Sequence, residues 1–323
     1  MNRSSFRGVA SEKAKSQGSS LWQDAWHRLA NNKPALVSLA VLVVVLAACF
    51  IGPFLPFIKD PTTINLKNTL GVPTADHWFG TDQLGRDLFS RVLYGGQVSL
   101  LVGLVATGVA VIIGVIYGSV SGYVGGVVDS VMMRFVDILF ALPFLVLVIL
   151  FSLVVDVPAS EFTTWMVDTT GWPRDRVAPI TTLIPLFIAI GAIGWLTIAR
   201  IVRAQVLNVK KLEFVEAAIS LGLSRTRILF RHILPNVIGP IIIYTTLAVP
   251  GIMLLESVLS FLGLGVKPPN SSWGILIKEG ADRMEIGPYL LLFPSLFFAT
   301  TLFALNFLGD GLRDALDPKS SKD

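Results

Sequence analysis

The chain has 323 residues, of which 53% are hydrophobic and 15% charged, and its mean hydropathy is +0.69. Soluble domains carry roughly 25% charged residues, so this composition excludes an ordinary soluble protein. A net charge of +4 suits a nucleic-acid binder, but Lys and Arg lie between long apolar runs, which is typical of membrane topology. No nucleic-acid partner is expected. The single cysteine, Cys49, excludes an intrachain disulfide and a cysteine-based metal site.

Six apolar runs are long enough to cross a hydrocarbon core of about 30 Å as helices, at about 1.5 Å per residue. Uniform runs predict helices, and the alternating pattern of a membrane barrel is absent from the sequence. The sequence therefore predicts an all-α integral membrane protein with six transmembrane helices. The predicted spans are 35–57, 98–121, 135–157, 179–199, 237–262 and 289–309.

The positive residues predict the orientation. With a cytoplasmic N-terminus, the inside segments are 1–34, 122–134, 200–236 and 310–323, and they hold 17 of the 26 Lys and Arg residues. Positive charge favours the cytoplasmic side, so both termini are predicted to lie in the cytoplasm, and the chain is predicted to span the cytoplasmic (inner) membrane. The predicted organisation is a cytoplasmic segment 1–34, a first transmembrane helix 35–57, an outside loop 58–97, a five-helix core 98–309 and a cytoplasmic tail 310–323.

The first apolar run also contains an imitation of a lipoprotein cleavage site, at residues 46–49. A signal peptide has a short basic region and a short apolar core. Here 34 residues precede the run, and apolar sequence continues past Cys49 to Phe57. An uncleaved first span is predicted.

Small residues and prolines describe how the spans pack. Gly114, Gly118 and Gly122 recur every four residues and predict a smooth stripe along which another helix can approach closely. Prolines within predicted spans kink a helix and free a carbonyl, which serves either packing or a bend in a rocking helix. These prolines are Pro143, Pro240, Pro250 and Pro294.

The longest inside segment, 200–236, has a patterned sequence. Residues 213–218 favour a helix, Gly222 can adopt the positive φ that ends it, and Ser224 can cap the helix that follows. Pro235 is predicted to end that second helix before the chain re-enters the membrane. A short helix held between two spans in this way is suited to insert into a groove on a partner protein.

Two other interpretations of this segment explain its sequence less well. Residues 218–228 resemble a DNA-binding helix-turn-helix, but that motif needs globular support, and spans begin close on both sides. An ordinary loop would use Arg225, Arg227 and Arg231 as topology anchors, which leaves the alanines, the glycine and the proline unexplained.

Glu216-Ala217-Ala218, Gly222 four residues further on and Leu234-Pro235 resemble the EAA loop of ABC importer permeases, the segment that docks on the ATPase. The resemblance covers nearly the whole chain, and dipeptide and oligopeptide permeases, in particular the C-type oligopeptide permease, share its other motifs. These motifs lie at 77–82, 85–87, 90–91, 230–236, 260–265, 272–274 and 309–318. Two features depart from the pattern: His232 replaces an aliphatic residue of the general EAA loop, and the predicted outside loop 157–178 is long.

The resemblance implies the type I, MetI-like permease fold of an ATP-driven importer that translocates peptides by alternating access. The implied partners are a second homologous permease subunit, two ATP-binding subunits and a periplasmic or lipid-anchored peptide-binding protein. ATP and Mg would be used by the ATPase subunits, and this chain would bind no cofactor. The alternatives are the same mechanism for nickel or another small solute, and a self-sufficient channel or secondary transporter, which should show inverted repeats or charges at the membrane midplane.

Ionisable residues near the spans are the remaining candidates. Glu256, inside the fifth span, is predicted either to line the pathway or to bond to a neighbouring helix. Arg134 lies three residues from Asp137, so a local ion pair is predicted beside Asp129.

Catalysis is not expected. No Gly-Lys pair occurs, so the phosphate-binding P-loop is missing, and the three histidines lie in separate segments that cannot form a zinc site. The chain is therefore predicted to be no enzyme in its own right.

Overall fold

The structure, a computed structural model, describes residues 21–267 and 270–316. Six helices in these ranges are long and apolar enough to cross a membrane, which confirms the predicted number of spans. They are Lys33–Phe54, Leu88–Val124, Phe144–Thr170, Arg176–Val209, Arg225–Phe261 and Tyr289–Leu316. Several of their limits differ from the prediction.

The first two helices pack against the last one. Helix α1 (Leu21–Asn31) is followed by α2 (Lys33–Phe50), which Asn32 caps by accepting a hydrogen bond from the Ala35 N–H. Pro34 lies in the first turn of α2, where its missing N–H has no helical acceptor to lose. Both helices contact α12 (Tyr289–Leu316), and a 3₁₀ turn at Gly52–Phe54 follows α2.

Helix α3 (Leu88–Val124) packs along α7 (Ile184–Val209) and forms the centre of the bundle. The glycine stripe lies in this contact: a Cβ atom at Gly118 would be 2.4 Å from the Ala199 carbonyl oxygen, and one at Gly114 would be 2.8 Å from the Ile198 Cβ. The predicted close approach is therefore confirmed. Lipid is as apolar as the side chains, so moving a side chain from lipid into the protein contributes little to helix association. The close approach of the two backbones contributes instead through dispersion contacts.

The α3 helix begins at Leu88 rather than at residue 98, because its first turns are buried although they carry Arg91. The two ends of the bundle are named below after the first and last residues of α3, as the Leu88 end and the Val124 end.

The predicted third span, 135–157, is divided and was wrong as a single element. Helix α4 (Gly126–Ala141) ends before Pro143, and α5 (Phe144–Thr170) begins directly after it. A proline disfavours the helical conformation in the residue before it, and Leu142 is extended with ψ 145°.

The loop predicted at 157–178 was also wrong, because α5 continues across Pro158 to Thr170. Gly171, with φ 67° in the left-handed region, ends the helix. A short helix, α6 (Arg174–Thr181), then leads to α7.

Between α7 and the next long helix lie two short helices, α8 (Glu213–Ser220) and α9 (Arg225–Ile228), and a π-helical turn at Leu229–Ile233. Helix α10 (Leu234–Phe261) follows without a break. Pro235 therefore lies in the first turn of α10. The prediction that Pro235 ends the preceding helix was wrong. A proline in a first turn lacks only an N–H that has no partner there.

The Leu88 end contains a short helix, α11 (Trp273–Ala281), which the hydropathy pattern does not predict. The Ser272 hydroxyl caps it by accepting a hydrogen bond from the Ile275 N–H at 3.3 Å. Trp273 is fully buried, and its Nε1 donates to the Val92 carbonyl at 2.9 Å. Through this tryptophan α11 is held on α3.

Candidate functional sites

The predicted EAA residues lie in the segment between the two long helices α7 and α10, called here the α8 loop (residues 210–233). Gly222 has φ 74°, its N–H donates to the Ile219 carbonyl at 2.9 Å, and the Leu223 N–H donates to the Ala218 carbonyl at 3.3 Å. These two bonds form a Schellman motif, which satisfies carbonyls at the end of α8. Ser224 then caps α9 by accepting from the Arg227 N–H. The predicted helix, turn and cap are confirmed.

The α8 helix has a buried side and an exposed side. Val215 and Ala218 are 0% and 4% exposed, whereas Glu216 and Ala217 face outward. Nothing lies within 4 Å of a Cβ atom added at Gly222. The apolar side chains of Phe214, Leu221 and Phe230 are also 41%, 79% and 63% exposed. The outer surface of the loop is therefore partly apolar.

The α8 loop is joined to the bundle without a flexible connection. The Lys210 N–H donates to the Val206 carbonyl at 2.9 Å, and the Leu212 N–H donates to the Val209 carbonyl at 3.0 Å. Across to α3, the Lys210 ammonium donates to the Tyr123 carbonyl at 2.6 Å. Hydrogen bonds therefore link the start of the α8 loop to both α7 and α3.

The other predicted site residues lie along α10. Leu234 and Pro235 form its first turn, and α9 with the π-helical turn stands between them and α8. Glu256 is 22 residues beyond Leu234, roughly 33 Å along a helix. The structure thus groups Glu216, Ala217, Ala218 and Gly222, but it does not bring Glu256 to them.

Glu256 is fully buried among serine hydroxyls. Its carboxyl group accepts hydrogen bonds from Ser260 at 2.7 Å, Ser99 at 3.2 Å and Ser257 at 3.4 Å. Ser99 lies on α3 and also accepts a hydrogen bond from the Trp273 N–H of α11. Of the two predicted roles, these contacts favour the structural one, in which Glu256 joins α10 to α3 and α11.

A buried charge cluster at the Leu88 end was not predicted. Arg91, 3% exposed, donates to Asp82 Oδ2 at 2.6 Å and to both oxygens of Glu279 at 2.5 and 3.2 Å. Arg86 donates to the same oxygen of Asp82 at 2.6 Å. The cluster joins the loop before α3, the first turn of α3 and α11. Because 188 residues separate Arg91 from Glu279, the only local signal was a cation at the start of an apolar helix.

A second charge cluster, near the Val124 end, joins α4 to α7. Arg203 donates to both oxygens of Asp129 at 2.5 Å, and Arg200 donates to Asp137 at 2.7 Å. The predicted local pair between Arg134 and Asp137 was wrong, because the partner of Asp137 comes from a neighbouring helix. The hydrogen bonds from Arg203 hold the pKa of the Asp129 carboxyl below its ordinary value, although burial acts in the opposite direction.

An apolar cavity of about 620 Å³ opens between α4, α5, α7 and α10. Its walls carry few polar residues, among them Thr197 and Tyr244. Phe140 and Phe144, on either side of the break at Pro143, also line it. The cavity is suited to apolar side chains of varied shape rather than to a charged solute.

Comparison with known proteins agrees with this architecture. Residues 88–322 match the family described as "Binding-protein-dependent transport system inner membrane component", and residues 20–70 match "N-terminal TM domain of oligopeptide transport permease C". The oligopeptide transport system permease protein OppC of Haemophilus influenzae is 47% identical over 309 residues, which cover 95% of this chain and 92% of that protein.

Other relatives agree with that match. OppC of Escherichia coli K12 is also 47% identical, over 96% of this chain and 95% of that protein. The dipeptide transport system permease protein DppC of Bacillus subtilis is 41% identical over 92% of this chain and 85% of that protein. With most of its length matched and six helices able to cross a membrane, the chain belongs to the family of binding-protein-dependent transport system inner membrane components.

Proposed function

We propose that the chain is one of two homologous permease subunits of a peptide importer, and that ATP-hydrolysing subunits act on its α8 loop. The observation that carries this proposal is the exposed side of α8, ended by the open turn at Gly222 and joined rigidly to α7. A partner docked on Glu216 and Ala217 would displace α7 and α3 together. The exposed Phe214, Leu221 and Phe230 would then be covered by that partner.

The relatives supply the substrate class, since those at 47% and 41% identity are named for oligopeptide and dipeptide transport. The apolar cavity supports peptides over nickel or another small polar solute, because a metal ion needs oxygen, nitrogen or sulfur ligands that the cavity walls scarcely offer. In the proposed cycle a peptide-binding protein delivers the peptide at the Leu88 end. Two ATP-binding subunits use ATP and Mg at the Val124 end, and the cavity opens to each side in turn.

The proposal requires the α8 loop to face the cytoplasm of the inner membrane, together with both termini. Because Cys49 is the only cysteine, Cys49→Ala provides a background in which Ala217→Cys is the sole thiol. A membrane-impermeant maleimide should label Ala217→Cys in inverted vesicles stripped of the ATP-binding subunits, which would otherwise cover this position, and leave it unlabelled in intact cells. Labelling in intact cells would refute the orientation and the docking together.

Gly222→Pro and Glu216→Lys are expected to lower ATP-dependent peptide uptake about tenfold while the protein remains in the membrane. Proline cannot adopt φ 74° and removes the N–H that bonds Ile219, and lysine reverses the charge on the exposed side of α8. Gly171→Pro is the matched control, because Gly171 also has positive φ and open surroundings but ends α5 at the other end of the bundle. Normal uptake in both α8-loop variants would refute the assignment.

Glu256→Gln tests whether that residue serves transport. Glutamine keeps an acceptor for the serine hydroxyls. We therefore expect an unfolding transition close to that of wild type and a rate of peptide uptake within about twofold of wild type. Glu256→Leu instead leaves the Ser99 and Ser260 hydroxyls without their acceptor and should cost about 1–3 kcal/mol of stability. Thermal unfolding and uptake, measured on both variants, check this. Abolished uptake in a normally stable Glu256→Gln importer would instead assign Glu256 to the pathway.

A further inference from the structure

Helix α4 has little apolar contact with the bundle. Only Asp129 and Val136 of its residues are buried, with Met133 and Leu139 partly buried beside Val136, whereas Val127, Val131 and Ile138 are 80%, 64% and 56% exposed. A helix held by packing would bury an apolar stripe. Besides this narrow stripe and a hydrogen bond from the Tyr117 hydroxyl of α3 to the Met132 carbonyl, the directional contacts of α4 are the two ion pairs with α7, from Asp129 and Asp137.

These ion pairs define one register between the two helices. Arg203 contacts Asp129 through Nε and Nη2, one to each carboxylate oxygen, and Asp129 also accepts from the Ser121 hydroxyl of α3. Such a two-point contact is directional, and with side chains 33% and 12% exposed it is better shielded from water than a pair at an open surface. The Asp137–Arg200 pair is looser, with side chains 53% and 44% exposed, although the Arg200 guanidinium also lies 3.9 Å from the centre of the Phe140 ring.

The paired residues lie between the α8 loop and the apolar cavity. On one side, α7 continues from Arg203 to Val209, where the hydrogen-bonded connection to α8 begins. On the other side, α4 continues past Asp137 to the break at Leu142 and Pro143, which Phe140 and Phe144 flank in the cavity wall. A displacement of α7 therefore reaches this wall through α4 only if α4 keeps its register on α7.

We propose that the Asp129–Arg203 and Asp137–Arg200 pairs transmit the movement of the α8 loop to the α4–α5 break, so that the cavity wall moves whenever an ATPase displaces α8. Asp129 and Arg203 are the principal positioning residues, and Asp137 with Arg200 supports them. This inference rests on the proposed function. It predicts that breaking the first pair separates ATP hydrolysis from transport, because the ATPases still engage α8 while the wall no longer follows.

The test uses the complete importer reconstituted in lipid vesicles, with peptide taken up per ATP hydrolysed as the readout. Asp129→Asn keeps the shape of the side chain and removes its charge, and we expect the ratio to fall about fivefold or more. ATP hydrolysis itself should stay within about twofold of wild type. Arg134→Gln removes a charge from an exposed position of the same helix outside both ion pairs, so it is the matched control and should change the ratio less than about twofold. The charge-swapped variant Asp129→Arg with Arg203→Asp should recover at least part of the ratio.

A distance measurement separates transmission from local damage. In the Cys49→Ala background, spin labels at Val131→Cys on α4 and Asn208→Cys on α7 occupy exposed positions. Their separation should be the same without nucleotide and with trapped ATP, because the two helices move together. In Asp129→Asn the distribution should broaden. The inference requires the lower ratio, its recovery by the charge swap and the broadened distance, and the absence of any one of them overturns it.

Failure of this inference can be told from failure of the proposed function. A bifunctional thiol reagent should join Ala217→Cys to an ATP-binding subunit carrying a cysteine in its docking groove. If no cross-link forms in the parent importer, the docking proposal is wrong. If the cross-link forms and Asp129→Asn keeps a normal ratio, docking stands and only the transmission by the ion pairs is refuted.

Discussion

Replacing Arg91 with alanine is expected to lower the stability of the permease by about 3 kcal/mol, because it removes the cation that bonds Glu279 and one of the two cations that bond the buried Asp82. Asp82 is 3% exposed, and about a third of the Glu279 side chain is exposed. Arg86 contacts Asp82 but lies 3.9 Å from Glu279, so it cannot replace both contacts of Arg91. The loss falls on the junction between the first loop, α3 and α11.

Thermal unfolding of the complete importer in detergent, followed by tryptophan fluorescence, measures this effect, and we expect the transition to fall by roughly 6 °C or more. Arg283→Ala removes the same side chain from an exposed position near α11 and should change stability by less than about 0.5 kcal/mol. Equal transitions for Arg91→Ala and Arg283→Ala would contradict the interpretation of the cluster as a structural junction.

The Arg91 cluster also explains why helix limits were the least predictable part of the fold. Hydropathy assigns each residue its own transfer free energy, in which Arg91 is unfavourable in a span. The predicted second span therefore began after Arg91, at residue 98. The structure neutralises that cation with Glu279, 188 residues away, and the helix extends to Leu88. Such pairing leaves no trace in a local window. The number of spans was predictable because it depends on length and apolarity alone.

Sites formed by neighbouring residues were predicted better than sites formed across helices. The turn at Gly222 and the cap at Ser224 depend on backbone conformation and on hydrogen bonds to residues a few positions away. The pair of Arg134 and Asp137 was wrong for the converse reason. A local pair of this kind contributes only about 0.2–0.5 kcal/mol, so Arg200 of another helix, also in contact with Phe140, can displace it.

Proline was an ambiguous signal for a related reason. The sequence shows where a proline lacks an N–H and where it restricts the backbone conformation of the preceding residue. The position at which the helix ends depends also on what packs nearby. Pro143 separates two helices, Pro235 begins one, and Pro158 and Pro250 lie inside helices. The residue type therefore predicted irregular backbone without predicting which kind.

Because α3 contacts α7 along only part of its length, replacing two of its glycines by alanine is expected to change the stability in opposite directions. A Cβ atom at Gly118 would lie 2.4 Å from the Ala199 carbonyl oxygen and 3.0 Å from the Arg203 nitrogen, both backbone atoms of α7. Gly118→Ala should therefore force the helices apart and destabilise the permease by about 1–3 kcal/mol. Gly118→Leu should prevent stable assembly, because the larger side chain has no room between the two backbones.

Gly108 supplies the matched control, since it lies on the same helix with nothing within 4 Å of an added Cβ atom. Gly108→Ala removes backbone freedom from the unfolded chain without a clash, so it should raise stability by about 0.5–1 kcal/mol. Helix propensity acts in the same direction at both positions, and only the contact with α7 reverses the sign at Gly118. Thermal unfolding of the two alanine variants therefore measures the contact itself, and a stabilised Gly118→Ala permease would mean that α3 and α7 do not approach as closely as the structure has them.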